Sequence, residues 1–204
     1  MRIPSAFVFV LFVFFGSLPA DAGEFEDAAL AYRRGDFASA MKTWRQLADS
    51  GDARAQTNVG VMHYNGRGTL QDYAGAAKWY RRAAEQGNYD AQFNLGLLHV
   101  SGHGVPQDFT QAHKWFNLAA ALSSPKLRNR AASMRDAVAA KMIPMQIAEA
   151  QKLAREWRAK PERIGAQVSQ QMPGDPEHVI PLEPSGRFVP APYDPFAKPP
   201  ITAD

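Results

Sequence analysis

The sequence predicts an all-α fold, a short right-handed helix-pair solenoid with a C-terminal helical cap and a disordered tail. Three observations predict it. The chain repeats itself at an interval of 36 residues: residues 52–86 set against 88–122 agree at 14 of 35 positions. Most other pairs swap like for like, as in Val59/Leu95, Tyr73/Phe109 and Tyr80/Phe116. Within each unit the apolar residues recur at helical period, and glycine pairs and short polar side chains stand where helices would end and begin. A fixed period between about 20 and 50 residues marks units that bury their apolar faces only against their neighbours.

Residues 1–22 read as a secretory signal peptide. Arg2 precedes the apolar run AFVFVLFVFF, and SLPADA then places small residues at Ala20 and Ala22 in an A-x-A arrangement. The run is shorter than the roughly 20 residues that span a bilayer as a helix. Cleavage after Ala22 would start the mature chain at Gly23, with no further membrane span. The expected location is the periplasm or outside the cell.

Residues 23–51 form a degenerate first helix-pair unit, with a Gly35-Asp36 turn between its helices. In the second helix Phe37, Ala40, Met41, Trp44, Leu47 and Ala48 make one apolar face. The ladder returns as Tyr73, Ala76, Ala77, Tyr80, Ala83 and Ala84, then as Phe109, Ala112, Phe116, Ala119 and Ala120. Alanines allow helices to approach and the rings fill the gaps between them. Lys42, Lys78 and Lys114 share one repeat position on another side, and Arg45 and Arg81 the next exposed one.

Residues 52–122 hold the two full units. The first helix of each carries a mid-helix glycine, Gly60 and Gly96, at a cost of about 1 kcal/mol relative to alanine. Recurrence in register predicts a close backbone approach to the partner helix. NGRG and SGHG then supply glycines suited to the positive backbone angles that stop a helix. Asp72 and Asp108 stand at N-cap positions for the helices that follow. Asn58 and Asn94 also recur in register, which points to a structural role.

These strings, AxxNxG, GxG, QD, AxxW and AA at a 36-residue spacing, resemble the SEL-one-like repeat, a relative of the tetratricopeptide repeat. The resemblance is strong over 36–122 and loose over 24–35. It implies helix-pair solenoids that act as adaptors between proteins. The chain departs by carrying His63 and His99 where the family commonly has tyrosine. With two full units, the expected binding surface is small.

Residues 123–160 break the period and read as capping helices. SSP starts a helix with the stripe Leu127, Ala131, Met134, Val138 and Met142. Pro144 interrupts, and Ile147, Ala150, Leu153 or Ala154, and Trp157 face the core from a second helix. This segment resembles the closing part of exported bacterial members of that family. Residues 161–204 hold ten of the 15 prolines and read as an extended, solvated tail.

Chemistry is sparsely signposted. The chain has no cysteine, which excludes disulfides, thiolate catalysis and cysteine zinc sites. Residues 23–160 carry 19 basic and 13 acidic side chains, 161–204 carry 3 and 6. A nucleic-acid binder concentrates positive charge far more strongly. His63, His99, His103 and His113 read as packing residues, not as a metal site, and no cofactor is expected. Ser39-x-x-Lys42 and Ser123-x-x-Lys126 match a serine–lysine dyad, but the S-D-N and K-T-G strings that complete such a site are absent. The GxG loops lack the third glycine and preceding strand of a dinucleotide loop. The expectation is a protein that is not an enzyme.

What remains is surface. In a right-handed solenoid the first helix of each unit lines the concave face. Arg54, Thr57, Val61, Tyr64 and Asn65, then Asp90, Phe93, Leu97 and Val100, are expected to point into the groove. There they would hold an unidentified protein or peptide, with Phe93 and Leu97 supplying apolar contact and Arg54 and Asp90 orientation. The alternative is a cell-wall-associated accessory protein binding anionic polymer or peptidoglycan through Lys42, Lys78, Lys114, Arg81 and Arg82.

Overall fold

A computed structural model describes residues 20–160. The predicted signal peptide, except Ala20–Ala22, and the proline-rich segment 161–204 lie outside the described residues. Among those described there are eight helices and no strand: α1 (Ala20–Arg33), α2 (Phe37–Asp49), α3 (Ala53–Asn65), α4 (Tyr73–Glu85), α5 (Tyr89–Ser101), α6 (Phe109–Leu122), α7 (Pro125–Ala139) and α8 (Pro144–Glu156). The pairs α1–α2, α3–α4 and α5–α6 pack internally, and α2–α3, α4–α5 and α6–α7 join one unit to the next.

Short polar side chains set where α2 to α7 begin. The carboxylates of Asp36, Asp52, Asp72 and Asp108 and the amide oxygen of Asn88 accept from backbone N–H groups in the first turns of α2, α3, α4, α6 and α5. Ser124, not Ser123, caps α7, and Pro125 follows at its first position. Gly66 and Gly102 close α3 and α5 in the left-handed conformation.

The recurring glutamines complete the helix ends. Gln71 and Gln107 donate from Nε2 to the carbonyls of Tyr64 and Val100, at 2.9 and 2.8 Å. The QD string therefore ends one helix with its glutamine and starts the next with its aspartate. Gln56 and Gln92 reach back across the unit boundary, donating to the carbonyls of Ala48 and Ala84 at 3.1 and 3.2 Å. Those carbonyls sit in the last turns of α2 and α4, where intrahelical partners run out.

Two apolar clusters run through the stack. One gathers Phe25, Tyr32, Trp44, Val59, Met62 and Trp79, the other Tyr64, Tyr80, Phe93, Leu97, Phe116 and Leu127. Of the predicted aromatic–alanine ladders, Ala76, Ala77, Tyr80, Ala83, Ala84, Ala112, Phe116 and Ala119 are buried, while Tyr73, Phe109 and Ala120 are half-buried against the same core. The recurring mid-helix glycines mark close contacts, as expected. A Cβ on Gly60 would stand 2.6 Å from the Tyr80 ring, and one on Gly96 2.7 Å from the Phe116 ring.

A second periodic contact links the units. The residue between the paired glycines lies against the aromatic that opens the second helix of the preceding unit. The Arg67 guanidinium sits 5.2 Å over Phe37, and His103 stacks on Tyr73 at 4.7 Å. In the cap the Lys141 ammonium stands 5.7 Å over Phe109. The cap thus keeps this contact where the sequence period is lost. It departs from the repeats in one respect: α8 lies on α6 and makes little contact with α7. The stripe of α7 faces the core, with Leu127, Ala131 and Val138 buried and Met134 and Met142 half-buried against it, while on α8 Ala150 and Ala154 are buried and Ile147 and Trp157 half-buried.

Candidate functional site

The nine positions expected to face the groove fall into two groups. Arg54, Asn65 and Val100 are partly exposed. Thr57, Val61, Tyr64, Asp90, Phe93 and Leu97 are buried, none more than 4% exposed, so the expectation that they face an open groove is corrected. The cause is the packing around α3 and α5. Tyr64 lies 5.1 Å from Tyr73, and burial pushes its phenol well above the ordinary range. Phe93 meets Phe116 at 5.3 Å, and the Arg130 guanidinium of α7 covers it at 5.1 Å. The Thr57 hydroxyl donates to its own helix at Ala53, 2.8 Å away.

A sequence signal for this burial exists in FNLGLLHV, which is apolar on nearly every side of a helix. Such a helix is covered all round. Arg54 remains accessible at the start of α3, with its guanidinium 3.2 Å from Asp52 and 4.3 Å over Phe25. Asn65 and Val100 lie near the opposite ends of α3 and α5 from Arg54 and Asp90.

The histidines do not gather. Among the described residues no three His, Cys, Asp or Glu side chains cluster closely enough to hold a metal ion. Ser39 and Lys42 are exposed on α2, and Ser123 is buried at the end of α6. Burial lowers the pKa of His63, His99 and His113 below the ordinary 6.5. His99 and His113 are almost wholly buried.

A histidine held neutral by the fold takes up its proton more readily in the unfolded chain. Its contribution to stability is complete above the unfolded pKa of about 6.5 and is lost as pH falls through that value toward the lower folded pKa. The urea midpoint is therefore expected to be lower at pH 5 than at pH 7.5. A His99→Gln/His113→Gln variant should show a smaller difference between the two conditions. An unchanged difference would show that these two imidazoles are not the source.

The outer lysine row is uneven. Lys42 and Lys78 are exposed, but Lys114 is half-buried with its ammonium 4.1 Å over Trp115. Arg45 engages Asp49 at 3.1 Å and lies 4.9 Å over Trp79. Arg82 lies 4.5 Å over the same ring and approaches Asp49 at 3.9 Å. A shallow cleft of about 260 Å3 on α4 is lined by Lys78, Arg81, Arg82 and Glu85, with Gly104 and Val105 at its edge. No helix among the described residues is long and apolar enough to cross a membrane.

Comparison with known proteins agrees with the repeat geometry. A family model described as Sel1 repeat matches residues 53–88 and 90–124. A protective antigen of uropathogenic Escherichia coli strains, displaying an SLR fold, is 28% identical with a TM-score of 0.63. The match covers 68% of this chain and 30% of that one, so this chain spans less than a third of the antigen's length. A Sel1 repeat protein from Oxalobacter formigenes is 33% identical over 56% of this chain and 89% of its own, with a TM-score of 0.49. No curated protein matches the chain significantly.

Proposed function

Because the chain belongs to the Sel1-repeat family through its repeats at 53–88 and 90–124, we propose that it is an exported, non-enzymatic adaptor for a protein or peptide. Sel1 repeats are generally used for protein–protein interaction. The observation that carries the reading is the stacking of two such units through one continuous set of buried contacts. A surface fixed in this way loses little conformational freedom on binding. On the concave side the anchors are Arg54, Asn65 and Val100, supported from beneath by Tyr64 and Phe93 without those rings being offered to the partner. Export rests on the pattern in residues 1–22.

The basic cleft beside Lys78 and Arg81 supports a second reading, the cell-wall accessory that binds anionic polymer or peptidoglycan. Its binding would fall steeply with ionic strength, since exposed charges are screened over about 10 Å at 0.1 M salt. The two readings separate in one experiment. A photoreactive residue replaces Asn65 or Lys78 in the full chain, and crosslinking is done in intact cells. A discrete protein adduct at Asn65 alone supports the adaptor. Wall fragments captured at Lys78 support the alternative, and no adduct at either position overturns both.

A further inference from the structure

We propose that the cleft where α7 and α8 part over α6 binds a carboxylate carried on a short aliphatic stem. The cleft exists because both closing helices rest on α6 and not on each other, leaving a wedge of about 400 Å3. His113 and Asn117 line it from α6, Arg135 and Asp136 from α7, and Ile147 and Arg155 from α8.

The charges are unequally engaged. Arg135 is held by Asp136 at 2.9 Å and by Asn117 at 3.4 Å. The Arg155 guanidinium has neither an ion pair nor a hydrogen bond among the described residues. His113 is 3% exposed, and its Nδ1 has no hydrogen-bond partner among the described residues.

Counting Arg135 and Arg155 against Asp136, with His113 held neutral by burial, the cleft carries one surplus positive charge. That matches a monoanion. A guanidinium fork pairs with a carboxylate in plane through two hydrogen bonds. Ile147 and Ala139 offer apolar wall for the stem of a glutamate side chain or of a C-terminal residue. That the carboxylate comes from a peptide rests on the adaptor reading; the preference for a carboxylate does not.

The test uses the full chain and three capped probes: N-acetyl-glutamate N-methylamide, N-acetyl-alanine, and the neutral N-acetyl-glutamine N-methylamide. Histidine ring signals are followed by NMR, with His113→Gln used for assignment. An acidic probe should shift the His113 resonance and raise its pKa, because an adjacent anion favours the imidazolium against burial and the opposition of Arg135. The neutral probe should not. Arg155→Ala should weaken binding at least about tenfold, and Arg155→Lys should restore part of it.

Binding of the glutamate probe alone assigns the site to acidic side chains, and of the alanine probe alone to chain ends. Equal binding of the neutral probe, an unmoved His113, or an unaffected Arg155→Ala variant overturns the proposal. Failure of crosslinking at Asn65 would remove the groove adaptor and leave these titrations unchanged.

Discussion

Gly104→Ala is expected to be among the most damaging single-methyl changes in the chain, costing about 3–5 kcal/mol, while Gly102→Ala costs about 1 kcal/mol. Both glycines have positive φ, 68° and 74°, so both replacements carry the left-handed penalty. They differ in what the new methyl meets. At Gly102 the nearest atom is 3.5 Å away, ordinary contact. At Gly104 it runs into the carbonyl of Tyr73 and the N–H of Ala74, backbone in the first turn of α4 that has no rotamer in which to retreat.

The same arrangement recurs one unit earlier, where a Cβ on Gly68 would lie 2.5 Å from the Phe37 carbonyl. The second glycine of each GxG loop is therefore one place where backbone of one unit meets backbone of the next. Urea unfolding followed by far-ultraviolet circular dichroism measures the two losses. Equal losses would show that the loop moves away freely and that the contact is not what holds the units together.

Phe93→Ala is expected to cost about 3–5 kcal/mol, the range for deleting a buried ring, where Asn65→Ala should stay within about 0.5 kcal/mol. Phe93 is fully buried, packed on Phe116 and covered by Arg130. Had it been a groove contact, its removal would have weakened a partner and spared the fold. The stability measurement decides between those roles without any partner in hand. A loss near that of Asn65→Ala would return Phe93 to the surface. A loss of binding in any Phe93 variant has to be read beside its melting curve, since unfolding removes every surface at once.

What the sequence determined by itself is local or periodic. Its 36-residue interval fixes which residues are equivalent, and the i, i+3, i+4 ladders fix which face of each second helix is buried. Asp72 and Asp108 cap their helices and Gly66 and Gly102 end theirs through contacts within a few residues. Gly60 and Gly96 were legible as close approaches because an unfavourable residue recurs in register.

The rest depends on elements far apart in the chain. Which neighbours cover α3 and α5 decided that Tyr64, Phe93 and Leu97 are interior, leaving Arg54, Asn65 and Val100 accessible. The pairing of Gly104 with Tyr73, and the burial of Trp79 in the first unit's cluster, are contacts between units that no window of one unit reveals. The resting place of α8 on α6 opens the His113–Arg155 cleft, and no periodic pattern foretold it. Hydrogen-bonded caps and helical period are short-range and are written into short strings, whereas burial is a relation between surfaces that only the assembled stack brings together.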